Sequence, residues 1–138
     1  MKDTKKYYSN LAPFYHLFYP NWEESINCQA SMFDCVIKEK WGNVSTVLDV
    51  SCGIGTQAIG LAKLGYDVTG SDLSPEAIER AKREATNRDL SISLSVADMR
   101  YAYDHHMSEF DVVLCADNSI SHLLSDDEIL TAFRQFYK

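Results

Sequence analysis

The fold is decided by the stretch Thr46-Val47-Leu48-Asp49-Val50-Ser51-Cys52-Gly53-Ile54-Gly55-Thr56-Gln57-Ala58. It begins with a short apolar, β-branched run, which is typical of a strand that is covered on both faces. Gly53 and Gly55 then allow a sharp reversal and a close approach of bare backbone to a ligand. From Thr56 onward apolar residues recur at helical spacing, so the turn opens a helix whose free N–H groups face the same spot. This order of elements predicts a site for a nucleotide-like ligand.

The glycine turn by itself fits two kinds of cofactor. Gly53-x-Gly55-x-x-Ala58 matches the dinucleotide fingerprint, and Asp72 lies close to the acidic position expected further along. Asp49 favours the other kind, because it ends the strand four residues before Gly53 and shares the pocket with the ligand. A pyrophosphate there meets repulsion on the order of a few kcal/mol, whereas S-adenosylmethionine (SAM) carries an ammonium and a sulfonium. We therefore predict a SAM site, with an NAD-dependent oxidoreductase as an alternative.

The run Asp49-x-Ser51-x-Gly53-x-Gly55 resembles motif I of the class I SAM-dependent methyltransferases, with Ser51 in place of the first small glycine. The resemblance implies a Rossmann-like, doubly wound parallel α/β sheet and transfer of a methyl group to a small-molecule acceptor. It also implies that Asp49, Ser51, Gly53 and Gly55 bind the cofactor. A chain that binds SAM or S-adenosylhomocysteine (SAH) without turnover is a further alternative.

Length and composition indicate one globular domain. The chain has 138 residues, of which 46% are hydrophobic and 24% charged, and this suffices for one core. A net charge of -7 argues against partners such as duplex nucleic acid or an anionic membrane, which usually need a basic face. We expect a cytoplasmic location, since no apolar run could span a membrane and no signal-peptide pattern is present. No His/Cys spacing indicates a metal site, and the cysteines are expected to be buried free thiols.

An aromatic arm is predicted over residues 1–22, in front of a SAM-binding domain over residues 23–138. Pro13 and Pro20 interrupt any long helix in the arm. Its rings either pack on the domain or form a lid whose phenols and ring faces meet the methionine end of the cofactor or the substrate. In similar methyltransferases a Tyr-rich arm covers the site, which places Tyr15 among the predicted cofactor contacts.

Helices and strands alternate after the arm. Apolar periodicity and capping residues predict helices over 23–41, 56–64 and 75–88 and a last helix opened by the capping box Ser125-Asp126-Asp127-Glu128. Short apolar or alternating runs predict strands within 44–50, 66–72, 91–96 and 110–115. Strands joined by a helix are parallel neighbours, and the third strand is expected at an edge. Residues 101–109 are predicted to be a polar loop with His105 and His106 on the surface.

Polar residues at the ends of the second and third strands are predicted to hold the adenosine. Asp72 is placed to accept both ribose hydroxyls, with Leu73 beside it. The resemblance assigns Asp98 to the exocyclic amine of adenine and Met99 to the ring. The alternative for Asp98 is a residue that only starts a turn.

The polar stretch after the fourth strand lies at the switch point of the sheet, where ligands bind. Asn118 is predicted to orient an amine nucleophile and His122 to take up a proton. The alternative for His122 is a local hydrogen bond at a helix entry. Together with the Tyr-rich arm, these residues resemble the glycine/sarcosine N-methyltransferase branch, so the acceptor is expected to be an amine.

The predicted sheet has four strands where the family has seven. We therefore expect a fragment truncated after strand four, which holds the cofactor part and is itself inactive. The fourth strand then presents an apolar edge, Val112-Val113-Leu114. Such an edge tends to recruit another chain, so a homodimer through this strand is expected.

Overall fold

Helices and strands alternate along the chain as predicted. The computed structural model describes residues 2–138, with side chains from residue 3 onward. The helices are α1 (Lys2–Leu11), α2 (Trp22–Trp41), α3 (Thr56–Lys63), α4 (Pro75–Thr86), α5 (Ala102–His106) and α6 (Asp126–Phe136). The strands are β1 (Thr46–Asp49), β2 (Asp67–Asp72), β3 (Ser93–Val96) and β4 (Val112–Leu114). Short 3-10 turns occupy Tyr15–Phe18, Met99–Tyr101 and Ser119–His122.

The strands form one parallel sheet in the order β3-β2-β1-β4. Leu48 in β1 lies opposite Thr69 in β2 on one side and Val113 in β4 on the other. The chain therefore builds outward from β1 to β3 and then returns to the other side of β1. This reversal is the switch point, and it brings the carboxyl ends of β1 and β4 side by side. The predicted parallel α/β sheet is confirmed, with β3 at an edge.

Residues of β1 face the two sides of the sheet alternately, and both sides are covered. Val47 packs into a cluster with residues of α2, α3 and α4. Leu48 packs on the opposite side with Ala102 of α5 and Phe136 of α6. Burial on both faces explains why β1 is an unbroken apolar run.

The predicted helix caps are present. Each cap residue is extended, and its side chain accepts a backbone N–H from the first turn of the helix that follows. These pairs are Asn21 with Glu24, Ser74 with Ala77 and Ser125 with Glu128.

The segment predicted as a polar loop is instead a 3-10 turn followed by α5. Ala102 is buried, with 1% of its surface exposed, and it packs in one cluster with Leu48 of β1. This packing stabilises a helix that is too short to form by itself. His105 is exposed, as predicted. His106 is half-buried, and its Nε2 is hydrogen-bonded to Ser71 Oγ at 3.2 Å, so its placement on the surface was wrong. The arm also contains a helix, α1, where none was predicted.

Some apolar side chains lie outside the core where burial was predicted. Cys28 and Cys35 are free thiols but exposed on α2. On α6, Leu130 and Phe133 are 47% and 54% exposed, and Ala132 provides the buried contact. On α2 and α6 the buried stripe is therefore narrower than the apolar pattern indicated.

Across residues 2–138, no helix has both the length and the apolar character needed to cross a membrane. The described side chains also contain no group of three or more His, Cys, Asp or Glu arranged to hold a metal ion.

Helices α2 and α3 pack closely at Gly60. A Cβ at this position would lie 2.7 Å from Ala30 Cβ and 2.7 Å from the Ile26 carbonyl oxygen. We predict that Gly60→Ala lowers the free energy of unfolding by about 1–3 kcal/mol through overpacking, although alanine is the better helix former. Urea denaturation measures the change. Adding Ala30→Gly should restore part of the loss, and a Gly60→Ala variant more stable than the parent would contradict this packing.

Candidate functional site

A cleft lies over the carboxyl ends of the strands. Its space amounts to about 920 Å³ when the open mouth is included. Each strand contributes residues from the segment that follows it, and α1 and the turn after it form a roof. The lining residues are Thr4, Tyr8, Ala12 and Tyr15 of the arm, Val50–Ile54, Thr56 and Gln57 after β1, Asp72, Leu73 and Ala77 after β2, Ala97–Met99 after β3, and Asp117, Ser119, His122 and Leu123 after β4.

The two glycines of the turn have different surroundings. Both are left-handed, with φ of 53° at Gly53 and 96° at Gly55, a conformation that suits glycine. A Cβ on Gly53 would meet no atom within 4 Å, so this residue borders open space in the cleft. A Cβ on Gly55 would lie 3.0 Å from Ile59 Cδ1. Gly55 is buried and does not line the cleft, so it shapes the turn from behind.

Asp72 joins the glycine turn to the second strand. Its Oδ2 accepts the Gly53 N–H at 2.9 Å, and its Oδ1 accepts the Ser74 N–H at 2.9 Å. Burial raises the pKa of Asp72, against the lowering effect of these backbone donors. Each carboxylate oxygen accepts more than one hydrogen bond, so lone pairs remain toward the cleft. Leu73 lines the cleft beside it.

Asp49 lies beneath the floor of the cleft and does not line it. It is fully buried: Oδ1 accepts the Ser51 N–H at 3.2 Å, whereas Oδ2 has no hydrogen-bond partner. Burial raises the pKa of Asp49 to about 7, opposed by the Ser51 N–H and assisted by the charges of Asp72 and Asp117. Ser51, directly above, is the residue of this pair that reaches the cleft. The prediction that the carboxylate shares the pocket surface was therefore wrong in position, because β1 points this side chain inward.

Asp98 is at the cleft, but its carboxylate is already bound by Arg100. Nε and Nη2 of Arg100 lie 3.1 and 2.7 Å from Oδ1 and Oδ2, and the Arg100 backbone N–H donates to Oδ1 at 3.0 Å. Burial alone would raise the pKa of Asp98, but the hydrogen bonds and charge of Arg100 outweigh it and leave the pKa lowered. Arg100 also pairs with Glu128 of α6. Asp98 thus starts a turn, which is the alternative that the sequence left open, and it also lines the cleft beside Met99.

At the end of β4 the residue that reaches the cleft is Asp117, not Asn118. Both are left-handed, with φ of 54° and 59°. Asp117 lines the cleft, and its Oδ2 accepts Gln57 Nε2–H at 2.9 Å. Both residues are exposed, but only Asp117 belongs to the lining of the cleft, at its open side. The sequence does contain a signal for this turn, because Asp and Asn are the residues that tolerate the left-handed region best after glycine.

The arm is attached to the cleft at several points. The Tyr8 hydroxyl and His122 Nε2 are hydrogen-bonded at 2.8 Å, and Ser9 Oγ and Ser74 Oγ at 3.0 Å. Trp22 Nε1–H donates to Thr56 Oγ1 at 2.9 Å. The arm therefore lies over the cleft and packs on the domain at the same time, and Tyr15 lines the cleft from it.

Comparison with known proteins identifies relatives. A family described as methyltransferase domain matches residues 47–138. The chain is 34% identical over 117 residues to the glycine/sarcosine N-methyltransferase of Parasynechococcus marenigrum (strain WH8102), a match that covers 85% of this chain and 41% of the relative. The crystal structure of Streptomyces venezuelae DesVI matches with a TM-score of 0.78 and 25% identity over 91% of this chain and 50% of that one. The sugar N-methyltransferase KedS8 from Streptoalloteichus sp ATCC 53650 matches with a TM-score of 0.69 and 27% identity, over 88% and 47%. The chain spans half or less of the length of these relatives.

The raised pKa of Asp49 predicts how stability depends on pH. Because the pKa is about 7 in the folded state, against an ordinary value of 3.8 for an aspartate side chain, the protonated carboxyl contributes stability in full below pH 3.8. The contribution declines as the pH rises and is lost above about pH 7. We predict that Asp49→Asn gains stability relative to the parent chain as the pH rises from 4 to 8. Urea denaturation at several pH values measures the difference.

Asp126→Asn removes an exposed carboxylate and is the control for net charge. A difference between Asp49→Asn and the parent chain that stays constant from pH 4 to 8 would show that Asp49 is ionised at all these pH values in the folded state.

Proposed function

This chain belongs to the class I SAM-dependent methyltransferases, and on that premise we propose that it binds SAM and serves the transfer of a methyl group to a small-molecule amine. The observation that carries the proposal is the charge of the cleft. Asp72 and Asp117 line it without a basic partner among the described residues, Asp98 lines it paired with Arg100, and the lining residues described above include no lysine or arginine. Such a lining attracts an ammonium or a sulfonium and repels a diphosphate. The open space at Gly53 and the unpartnered oxygen of Asp49 fit the same cofactor.

The cofactor is proposed to lie across the carboxyl ends of β3, β2 and β1 in that order. In this arrangement the residues after β3 would hold the adenine, those at the end of β2 would hold the ribose, and the glycine turn after β1 would hold the methionine part. Asp49 and Gly55 act from below, the first through its charge and the second through the shape of the turn. The residues proposed to contact the cofactor are Asp98, Met99, Asp72, Leu73, Ser51, Gly53 and Tyr15.

The chain's own residues align and enclose the reactants in the proposed reaction. SAM supplies an activated methyl group, so alignment is the main requirement. Tyr8 and Tyr15 line the cleft from the arm and cover part of it. His122 is proposed to take up the proton that the amine releases, and the Tyr8 hydroxyl orients its ring. Asn118 has no part in this arrangement, because its side chain lies outside the cleft.

An amine acceptor is supported by the names of two relatives, a glycine/sarcosine N-methyltransferase and a sugar N-methyltransferase. Both relatives are N-methyltransferases, although their acceptors differ. The runner-up is a chain that binds SAM or SAH without turnover. An NAD-dependent oxidoreductase is disfavoured by the acidic lining. The cytoplasmic location remains a prediction from composition.

Parallel calorimetric titrations with SAM, SAH and NAD test the proposed cofactor. We predict that SAH and SAM bind more tightly than NAD. We also predict that Asp72→Asn weakens SAH binding by about 1–3 kcal/mol, because a charged acceptor for the ribose hydroxyls is lost. Asp67→Asn is the matched control, since Asp67 lies exposed at the opposite end of the same strand. NAD binding tighter than SAH, or equal losses in both variants, would refute the assignment.

The free side of β4 is proposed as a contact with a second copy of the chain. Within residues 2–138, β4 pairs only with β1. A strand with one unpaired side tends to pair with another chain. We predict a dimer in sedimentation at micromolar concentration and slow amide exchange over residues 112–114. A monomer whose amides exchange rapidly in this segment would be the opposite result.

A further inference from the structure

Asp117 is supported from below by a buried amide. Gln57 is 3% exposed, and its Nε2 donates one hydrogen bond to Asp117 Oδ2 at 2.9 Å and another to Gln29 Oε1 at 2.7 Å. Both protons of the amide are therefore committed, and the position of the carboxylate is determined jointly by α2, α3 and the turn after β4. A buried polar group held this way is typical of a site that positions a ligand.

One oxygen of Asp117 remains available to the cleft. Among the described residues, the hydrogen bonds to its side chain reach Oδ2, from Gln57 and from the Tyr19 hydroxyl at 3.5 Å. The pKa of Tyr15 is raised to about 12, mainly by burial and then by the charges of Tyr19 and Asp117. The phenol of Tyr15 therefore keeps its proton at neutral pH and can donate a hydrogen bond in the cleft.

The order of the strands places Asp117 near the glycine turn, because β4 adjoins β1 in the sheet. If the residues after β3, β2 and β1 hold the cofactor as proposed, the segment after β4 would border its methyl group. Asp117 and His122 both belong to this segment and both line the cleft. A nucleophile bound in this part of the cleft would therefore meet these two side chains.

We propose that the Asp117 carboxylate binds the ammonium group of the methyl acceptor, a primary or secondary amine; the inference rests on the proposed function. The bound ammonium gives one proton to His122 or to water. The neutral nitrogen then attacks the methyl carbon: the N–C bond forms, and the C–S bond breaks with its electron pair remaining on sulfur. The products are SAH and the methylated ammonium, which Asp117 also binds.

Propylamine is the probe for this role, titrated into the chain saturated with SAH and followed by NMR. We expect Asp117→Asn to weaken propylamine binding about two- to fivefold, as for the loss of an ion pair that is partly exposed to solvent. Asp89→Asn is the matched control, because Asp89 is exposed and has the same φ of 54°. Its affinity for propylamine should equal that of the parent chain. Added salt should weaken binding to the parent more than to Asp117→Asn, a difference that a merely structural role would not produce.

Each other outcome overturns one of the two proposals. Equal propylamine affinity in the parent and Asp117→Asn, or no propylamine binding to the SAH-bound parent, overturns the role of Asp117. An equal loss of SAH affinity in Asp117→Asn assigns the carboxylate to the ammonium of the cofactor and also overturns that role. Failure of the parent chain to bind SAH overturns the proposed function, and the propylamine titration repeated without SAH then decides about Asp117 separately.

Discussion

The carboxylate of Asp72 is the contact on which the rest of the cleft depends. Its two oxygens accept N–H groups from the glycine turn after β1 and from the start of α4. One side chain thereby fixes the turn, the second strand and the fourth helix relative to one another. The open space at Gly53 exists because this turn is held away from the cleft, and the arm closes over it through Ser9 and Ser74.

Charge distinguishes this cleft from a dinucleotide site of similar backbone shape. The floor covers a fully buried carboxylate, Asp49, and the walls carry three more. The chain tolerates this because Asp98 is neutralised by Arg100, Asp72 is stabilised by backbone donors and Asp117 by Gln57. Asp49 is fully buried and, among the described residues, accepts a hydrogen bond only from the Ser51 N–H, so burial raises its pKa to about 7. A positively charged ligand of the kind proposed would relieve the electrostatic repulsion that remains among these carboxylates.

Much of the fold was predictable from local sequence, because β1 is an unbroken apolar run and Ser74 and Ser125 are strong caps. The short helices α1 and α5 were not, since each depends on contacts with distant segments. Most of the predicted site residues line the cleft, since they follow strand ends that a parallel sheet brings together. The Asp117-Asn118 pair indicates a left-handed turn, but which of the two side chains borders the cleft depends on the exact path of two successive left-handed residues, which the sequence does not specify.

The hydrogen bond between Tyr8 and His122 joins the roof of the cleft to its wall. This bond occupies the imidazole nitrogen nearest the arm. When Nε2–H donates to the Tyr8 oxygen, Nδ1 is the imidazole nitrogen that can take up a proton. The arm therefore helps to select the tautomer of the proposed proton acceptor, in addition to covering part of the cleft.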